Sequence, residues 1–248
     1  MSPSPETTLG LLGTGKIGSA VFSGFCSENG WQPKHAYVSA RSKAKAEALV
    51  ARFPSRVTIG ASNQEIVDKS DVVFIGLLPA VAREELPKLS FAGKKVVSMM
   101  ATIPYDELLQ LVKLPRESVV RTVPLPAASK RAGPILAYPE NAFVRDLLTQ
   151  IGTPVMVAEE AEITKLVSGE PASRDYIASF FQALASAGAE STEGFGEMAD
   201  EAATAGGLNE QVHRALQTNG GYELVADQLD AMFKRLSGSD PAPRPARS

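Results

Sequence analysis

Cysteine is almost absent from this chain: Cys26 is the one such residue in 248. No disulfide can close within the chain, so the fold must rest on apolar burial, and a reducing, cytoplasmic setting is expected. An excess of positive charge is missing too. Lys and Arg number 25 against 28 Asp and Glu, a formal net charge of -3. That leaves no basic field to hold a nucleic-acid backbone. No apolar run approaches the roughly 20 residues that cross a bilayer, so no membrane partner is expected. The opening "MSPSPETT" has neither the basic nor the apolar part of a signal peptide. Histidine is limited to His35 and His213; neither has a visible acid–base partner, and no residue spacing reads as a metal site.

What is present is an ordinary globular composition, 44% hydrophobic and 21% charged. The first 160 residues alternate apolar strands with helical patterns. Eight stretches read as strands: "TLGLLG", "HAYVSA", "RVTIG", "DVVFIGLL", "KKVVSMM", "SVVRTVP", "PILAYP" and "TPVMVAE". Such alternation predicts an α/β fold, a Rossmann-like doubly wound sheet that is mostly parallel and covered on both faces. Helix starts are legible as well: "SNQE" at 62–65 has capping-box spacing, and Pro104 suits a first helical turn. From about residue 161 the strand signals stop. Amphipathic patterns at "DYIASFFQALASAG" and "NGGYELVADQLDAMFKRL" predict a small all-α domain over 161–236. Its size points to packing on a second subunit, a homodimer. Residues 237–248, rich in Pro and Ser, read as a disordered tail.

The segment "LGLLGTGKIGSAV" carries the chemistry. Gly13, Gly15 and Gly18 stand at G-x-G-x-x-G spacing after a strand and before a helix whose apolar face is Ile17, Ala20, Val21, Gly24 and Phe25. Gly13 permits the turn, Gly15 lets a pyrophosphate approach the backbone, and Gly18 lets helix and strand pack closely. Free N–H groups at Thr14, Lys16 and Ile17 would meet the negative charge. The end of the second strand chooses between nucleotides. An NAD site places a carboxylate there, about 20 residues past the glycines. This chain reads "YVSARSKAKAEAL", with Ser39, Arg41, Ser42 and Lys43 and no carboxylate before Glu47. A 2′-phosphate would pair with Arg41 and take the serine hydroxyls, so the expected cofactor is NADP.

With these motifs in view, the chain resembles the pyrroline-5-carboxylate reductase family, NADP-dependent reductases with a helical C-terminal domain. The resemblance implies that Asn63 in "ASNQEIV" touches the adenosine side. It places Leu77, Leu78 and Pro79 of "GLLPAV" beside the nicotinamide, although the family's lysine there is missing. It aligns "SMMAT", with Ser98 and Ala101, with the end of the fifth strand, and "RTVPL", with Arg121 and Pro124, with the family's Arg-x-Met-Pro-Asn. Its Pro-Gly-Gly-Thr-Thr loop appears as "TAGGLNEQ", which keeps Gly206 and Gly207 and replaces both threonines by Leu208 and Asn209.

The substrate half is read as follows. Gly206, Gly207, Leu208 and Asn209 are expected to meet a substrate carboxylate through backbone N–H groups and the Asn209 amide, which is also a candidate catalytic donor. Lys165 in "ITKLVSG" resembles the proton-donating lysine of related hydroxyacid dehydrogenases. Three functions stay open: reduction of a small cyclic imine acid, reduction of a carbonyl with Lys165 as acid, or nucleotide binding without turnover. Cys26, beside Phe25, reads as a core residue, and the acidic run Glu159, Glu160 and Glu162 as a solvated helix start.

Overall fold

The computed structural model describes residues 3–28 and 30–163 and, beyond them, only 182, 214, 215, 217, 218, 220 and 227. The chain groups into two compact units, Met1–Ser191 and Thr192–Ser248. Every described strand lies in the first.

These strands are β1 (Thr8–Leu12), β2 (His35–Val38), β3 (Val57–Ile59), β4 (Val72–Ile75), β5 (Lys95–Ser98), β6 (Val119–Val123), β7 (Pro134–Tyr138) and β8 (Thr153–Met156). They form one sheet in the order β3-β2-β1-β4-β5-β6-β7-β8. All pairs are parallel except β6 with β7. Each of the eight stretches expected from the sequence therefore supplies a strand of a doubly wound α/β sheet. The chain moves outward from β1 to β3, then returns to the other flank of β1 as β4. Where the direction reverses, helices depart to opposite faces and leave a crevice at the carboxyl ends of β1 and β4.

Among the described residues, six α-helices accompany the sheet: α1 (Lys16–Cys26), α2 (Lys43–Arg52), α3 (Asn63–Asp68), α4 (Pro79–Glu85), α5 (Tyr105–Val112) and α6 (Ala142–Leu148). Side chains alternate across a strand, so one strand feeds two cores. Val72 and Phe74 join Val21, Phe22 and Phe25 of α1 on one face. Val73 and Ile75 join Ile66 of α3, Ala82 of α4 and Leu108 of α5 on the other. All four residues of β4 are buried, which explains its unbroken apolar run.

Helix α1 is anchored at the end remote from the crevice. The Arg131 guanidinium donates to the carbonyl of Gly24 at 3.0 Å, to Ser27 Oγ at 2.9 Å, and to the carbonyls of Ser27 and Trp31 at 3.1 and 2.9 Å. Carbonyls orphaned at a helix C-terminus thus gain a cationic donor, and the start of the helix is held against β1. The capping box at "SNQE" forms: Ser62 Oγ accepts from the Glu65 N–H at 3.1 Å, and the Glu65 carboxylate reaches back to the Ala61 N–H at 2.5 Å. Pro104 sits one residue outside the position expected of it, as the residue capping α5.

Candidate functional site

The glycine loop lies where β1 runs into α1, and its three glycines are kept by three different constraints. Gly13 has φ +99°, and a Cβ there would strike the Gly76 carbonyl at the end of β4. Gly18 has no room for a side chain: a Cβ would stand 2.7 Å from the Gly13 carbonyl and 3.0 Å from Leu11. Gly15 differs from both. Its φ is an ordinary -84°, and nothing lies within 4 Å of the position a Cβ would take. Neither backbone conformation nor packing demands glycine at 15, so the open space itself is the feature, a cradle that a methyl group would fill. Helix α1 begins there with no side-chain cap and no acidic residue in its first turn. Its positive end and its first N–H groups face this space, with Lys16 exposed beside them.

The Thr14 and Ser39 hydroxyls are both engaged within the fold. Thr14 is fully buried and its Oγ1 donates to the Ser39 carbonyl at 2.7 Å. Ser39 Oγ, also buried, accepts from the Gly13 N–H at 2.8 Å. These bonds pin the loop to the end of β2, so Thr14 can offer a ligand only its backbone. The Ser39 hydroxyl borders the crevice with its acceptor already engaged.

Beyond Ser39 the second strand ends in Arg41 and Ser42, ahead of α2. Arg41 is exposed and, among the described residues, has neither an ion pair nor a hydrogen bond. Ser42 caps α2 through its backbone only, which leaves its hydroxyl available, and α2 has no acid in its first turn. A cavity of about 310 Å³ opens here, lined by Ser39, Arg41, Asn63, Leu77, Val81, Glu84 and Glu85. It brings together four residues singled out from the sequence. It also contains what sequence reading missed: α4 delivers two carboxylates to the corner that looked free of acids. Both are tied to Lys88, Glu85 at 2.8 Å and Glu84 at 3.4 Å. Their arrival depends on β4 lying beside β1, which no local signal announces.

Farther along the edge, Leu77, Leu78 and Pro79 form the turn from β4 into α4. Leu78 is 58% exposed, the one large hydrophobic side chain left open among the described residues. Ala101 follows β5 and is exposed as well. An apolar lip therefore adjoins the polar cradle, an arrangement suited to a ligand with an anionic middle and a planar, uncharged end.

The acidic run contains a further correction. Glu160 is no solvated helix start: its Oε1 accepts from Arg121 Nη1 at 2.6 Å and from the Tyr105 N–H at 2.8 Å. Glu162 does accept from the nearby Ala158 N–H at 3.1 Å, as an acid at a helix start should. His35 opens β2, contacts Thr58 Oγ1 at 2.9 Å, and is pushed down in pKa by burial and by Arg56 and Lys69. It stands at the start of β2, the end of the strand away from the crevice. Cys26 is buried, and burial pushes its thiol up to about 12, which suppresses the nucleophilic thiolate. No metal-binding cluster occurs among the described residues, and no helix among them is long and apolar enough to cross a membrane. Lys165, Gly206, Gly207, Leu208, Asn209 and His213 lie outside the described residues.

Residues 8–102, the stretch that builds β1 to β5, match the family described as NADP oxidoreductase coenzyme F420-dependent. Pyrroline-5-carboxylate reductase of Escherichia coli is 25% identical over 192 residues, covering 73% of this chain and 70% of that enzyme. The fold matches the NADP-bound crystal structure of Plasmodium falciparum pyrroline carboxylate reductase, with a TM-score of 0.56 at 17% identity, over 94% of this chain and 98% of that one. A reductive aminase from Aspergillus terreus, solved with NADPH and ethyl-5-oxohexanoate, also shares the fold. Its TM-score is 0.50 at 21% identity, over 91% of this chain and 78% of that one. The glycine loop and the strand order agree with these likenesses: the chain is similar to pyrroline-5-carboxylate reductases at low identity and shares their fold.

Proposed function

We propose that the protein is an NADPH-dependent reductase that passes hydride to a small cyclic imine acid of the pyrroline-5-carboxylate kind. One observation carries the reading: an unpaired, exposed Arg41 stands at the end of β2, beside the crevice that Gly15 leaves open. In this reading the first turn of α1 holds the pyrophosphate, and Arg41 with the Ser42 hydroxyl holds the 2′-phosphate at the start of α2. Asn63 meets the adenosine side, while Leu77, Leu78, Pro79 and Ala101 flank the nicotinamide. When bound, the reduced nicotinamide supplies hydride to the imine carbon, and the C=N electron pair passes to nitrogen. The apolar lip at Leu78 excludes water from that end. We assign Lys165 and the loop Gly206 to Asn209 to the substrate side, within a helical domain over 161–236 that also forms a homodimer, in the cytoplasm.

The test separates nucleotide from substrate. Fluorescence titration should show Arg41→Ala weakening NADPH by about tenfold or more, the value of one charge-assisted pair, with NADH almost unaffected. Equal loss for both nucleotides defeats the phosphate assignment. A panel of cyclic imine acids and 2-oxo acids, followed by NADPH absorbance, should show consumption with the imines. Consumption with oxo acids alone would move the chemistry to a carbonyl.

A further inference from the structure

After β8 the chain leaves the sheet along a second cavity, of about 360 Å³, lined by Ala101, Thr102, Pro104, Arg121, Glu160 and Ala161. Residues 160–163 are helical, and both ends of this turn are fastened to the sheet. At one end Glu160 Oε1 accepts from Arg121 Nη1 at 2.6 Å. The same oxygen accepts from the N–H of Tyr105, the first residue of α5, at 2.8 Å. Helix α5 has no side-chain cap of its own, so the Glu160 carboxylate satisfies one of its orphan donors. At the other end Ile163 is buried with Leu136 of β7 and with Val157. Arg121, with 8% of its side chain exposed, also donates through Nη2 to the Ala101 carbonyl. One planar guanidinium therefore bridges Ala101, assigned above to the nicotinamide end, and the turn by which the chain departs.

The two anchors differ in kind. Apolar burial is non-directional, so Ile163 alone would keep the turn near β7 while letting it rotate and slide. A charge-assisted bond to a buried guanidinium has a set length and direction, so Glu160 removes that freedom. Lys165, assigned above to the substrate side, follows Glu160 by five residues. Five residues of chain reach at most about 18 Å, so a rotation at Glu160 passes directly to it. We infer that Arg121 and Glu160 are positioning residues of the reductase. Their bond sets the direction in which the chain crosses from the sheet to the substrate side, and with it the approach of Lys165 to the nicotinamide end. The pair acts through the backbone, with no contact to substrate or cofactor required. The inference rests on the reductase reading and gives a costly buried ion pair a reason to stand at this exit.

The experiment uses the full-length chain, NADPH and pyrroline-5-carboxylate, with kcat expressed per NADPH-binding site so that unfolded protein is not counted. Glu160→Ala removes both bonds, and kcat should fall by about a hundredfold, the loss that a small misplacement can cause. Glu160→Gln keeps an acceptor for Arg121 and Tyr105 and should lose only about three- to tenfold. In both variants the Kd for NADPH should stay within about twofold of wild type, because Glu160 lies outside the nucleotide cavity. Hydrogen exchange gives a reading without turnover. A peptide spanning 158–163 should exchange faster in Glu160→Gln, with the peptide of β1 and α1 unchanged. If Glu160→Ala does not fold, Glu160→Gln decides alone. An unchanged kcat in Glu160→Gln, equal losses in the two variants, or a fall in NADPH affinity that parallels kcat would overturn the inference. A wild type that binds NADPH and turns over no imine would overturn the reductase reading itself, a result distinct from these.

Discussion

Two arginines at the carboxyl edge of the same sheet have opposite circumstances. Arg41 is exposed and unpaired on the β2 side; Arg121 is buried on the β6 side and bonded to Glu160 and Ala101. The first loses little if nothing binds, because water solvates it, so its charge is free to select a phosphate. The second cannot be left without its carboxylate and serves the fold. The same contrast separates Gly15, which borders open space, from Gly18, which is filled by its neighbours. Along this edge, groups poised for a ligand are those that the fold does not use.

The largest expected effect breaks the buried side of that contrast. Arg121→Met leaves Glu160 facing an apolar side chain and frees the Ala101 carbonyl, which should cost about 3 kcal/mol of stability by denaturant unfolding. A loss as small as that of an exposed ion pair would erase the distinction between the two arginines. Next comes the pair of glycines. Gly18→Ala should lower stability by about 2 kcal/mol, because its Cβ has no space against the Gly13 carbonyl. Gly15→Ala should leave the melting temperature nearly unchanged yet weaken NADPH binding by about tenfold or more, because the methyl group enters the cradle. Equal destabilisation by both would show that the Gly15 space is needed by the fold rather than by a ligand.

Legibility followed a similar divide. The strands could be read because burial on both faces writes itself as runs such as "DVVFIGLL", and the glycine loop because each glycine answers a local demand. Arg41 was legible for the same reason, since the end of β2 is adjacent in sequence to everything that defines it. Glu84, Glu85 and Glu160 were not. Their neighbours come from distant parts of the chain, so a correct account of composition at Arg41 still missed the acids across the cavity. Thr14 and Ser39 show the reverse case: both lie at the glycine loop, but the Thr14 hydroxyl donates to the Ser39 carbonyl and the Ser39 hydroxyl accepts from the Gly13 N–H, bonds that no local pattern announces.

A third effect, smaller and dependent on pH, probes the buried side again. Tyr105 is buried at the start of α5, its hydroxyl donating to the carbonyls of Arg116 and Val119 at 2.8 and 2.9 Å. Burial pushes its pKa from 10.0 up to about 12. Between those values the unfolded chain has lost the phenol proton while the folded chain retains it, so stability falls as pH rises. The slope is up to about 1.4 kcal/mol per pH unit. Tyr105→Phe should flatten that part of the stability profile. Cys26, raised to about 12 by burial, adds a loss of the same sign that this substitution leaves in place. An unchanged slope in Tyr105→Phe would mean that the phenol ionises alike in both states.

The smallest effect sharpens the open side. Arg41 shares its cavity with Glu84 and Glu85, and a bound 2′-phosphate would feel both signs. Lys88 offsets the two acids, but Glu84 and Lys88 are well exposed, so water and salt weaken that offset. Glu85 is the more enclosed of the two acids and makes the shorter bond to Lys88. Glu85→Gln should therefore tighten NADPH by a few-fold, less than about 1 kcal/mol, and leave NADH unchanged, with the gain fading as salt is raised. A gain for both nucleotides would point to the shared adenosine, and weaker NADPH binding would mean that Glu85 is needed to hold Lys88 toward the phosphate. The sign of this difference decides whether the acids of α4 oppose Arg41 or have been neutralised in its favour.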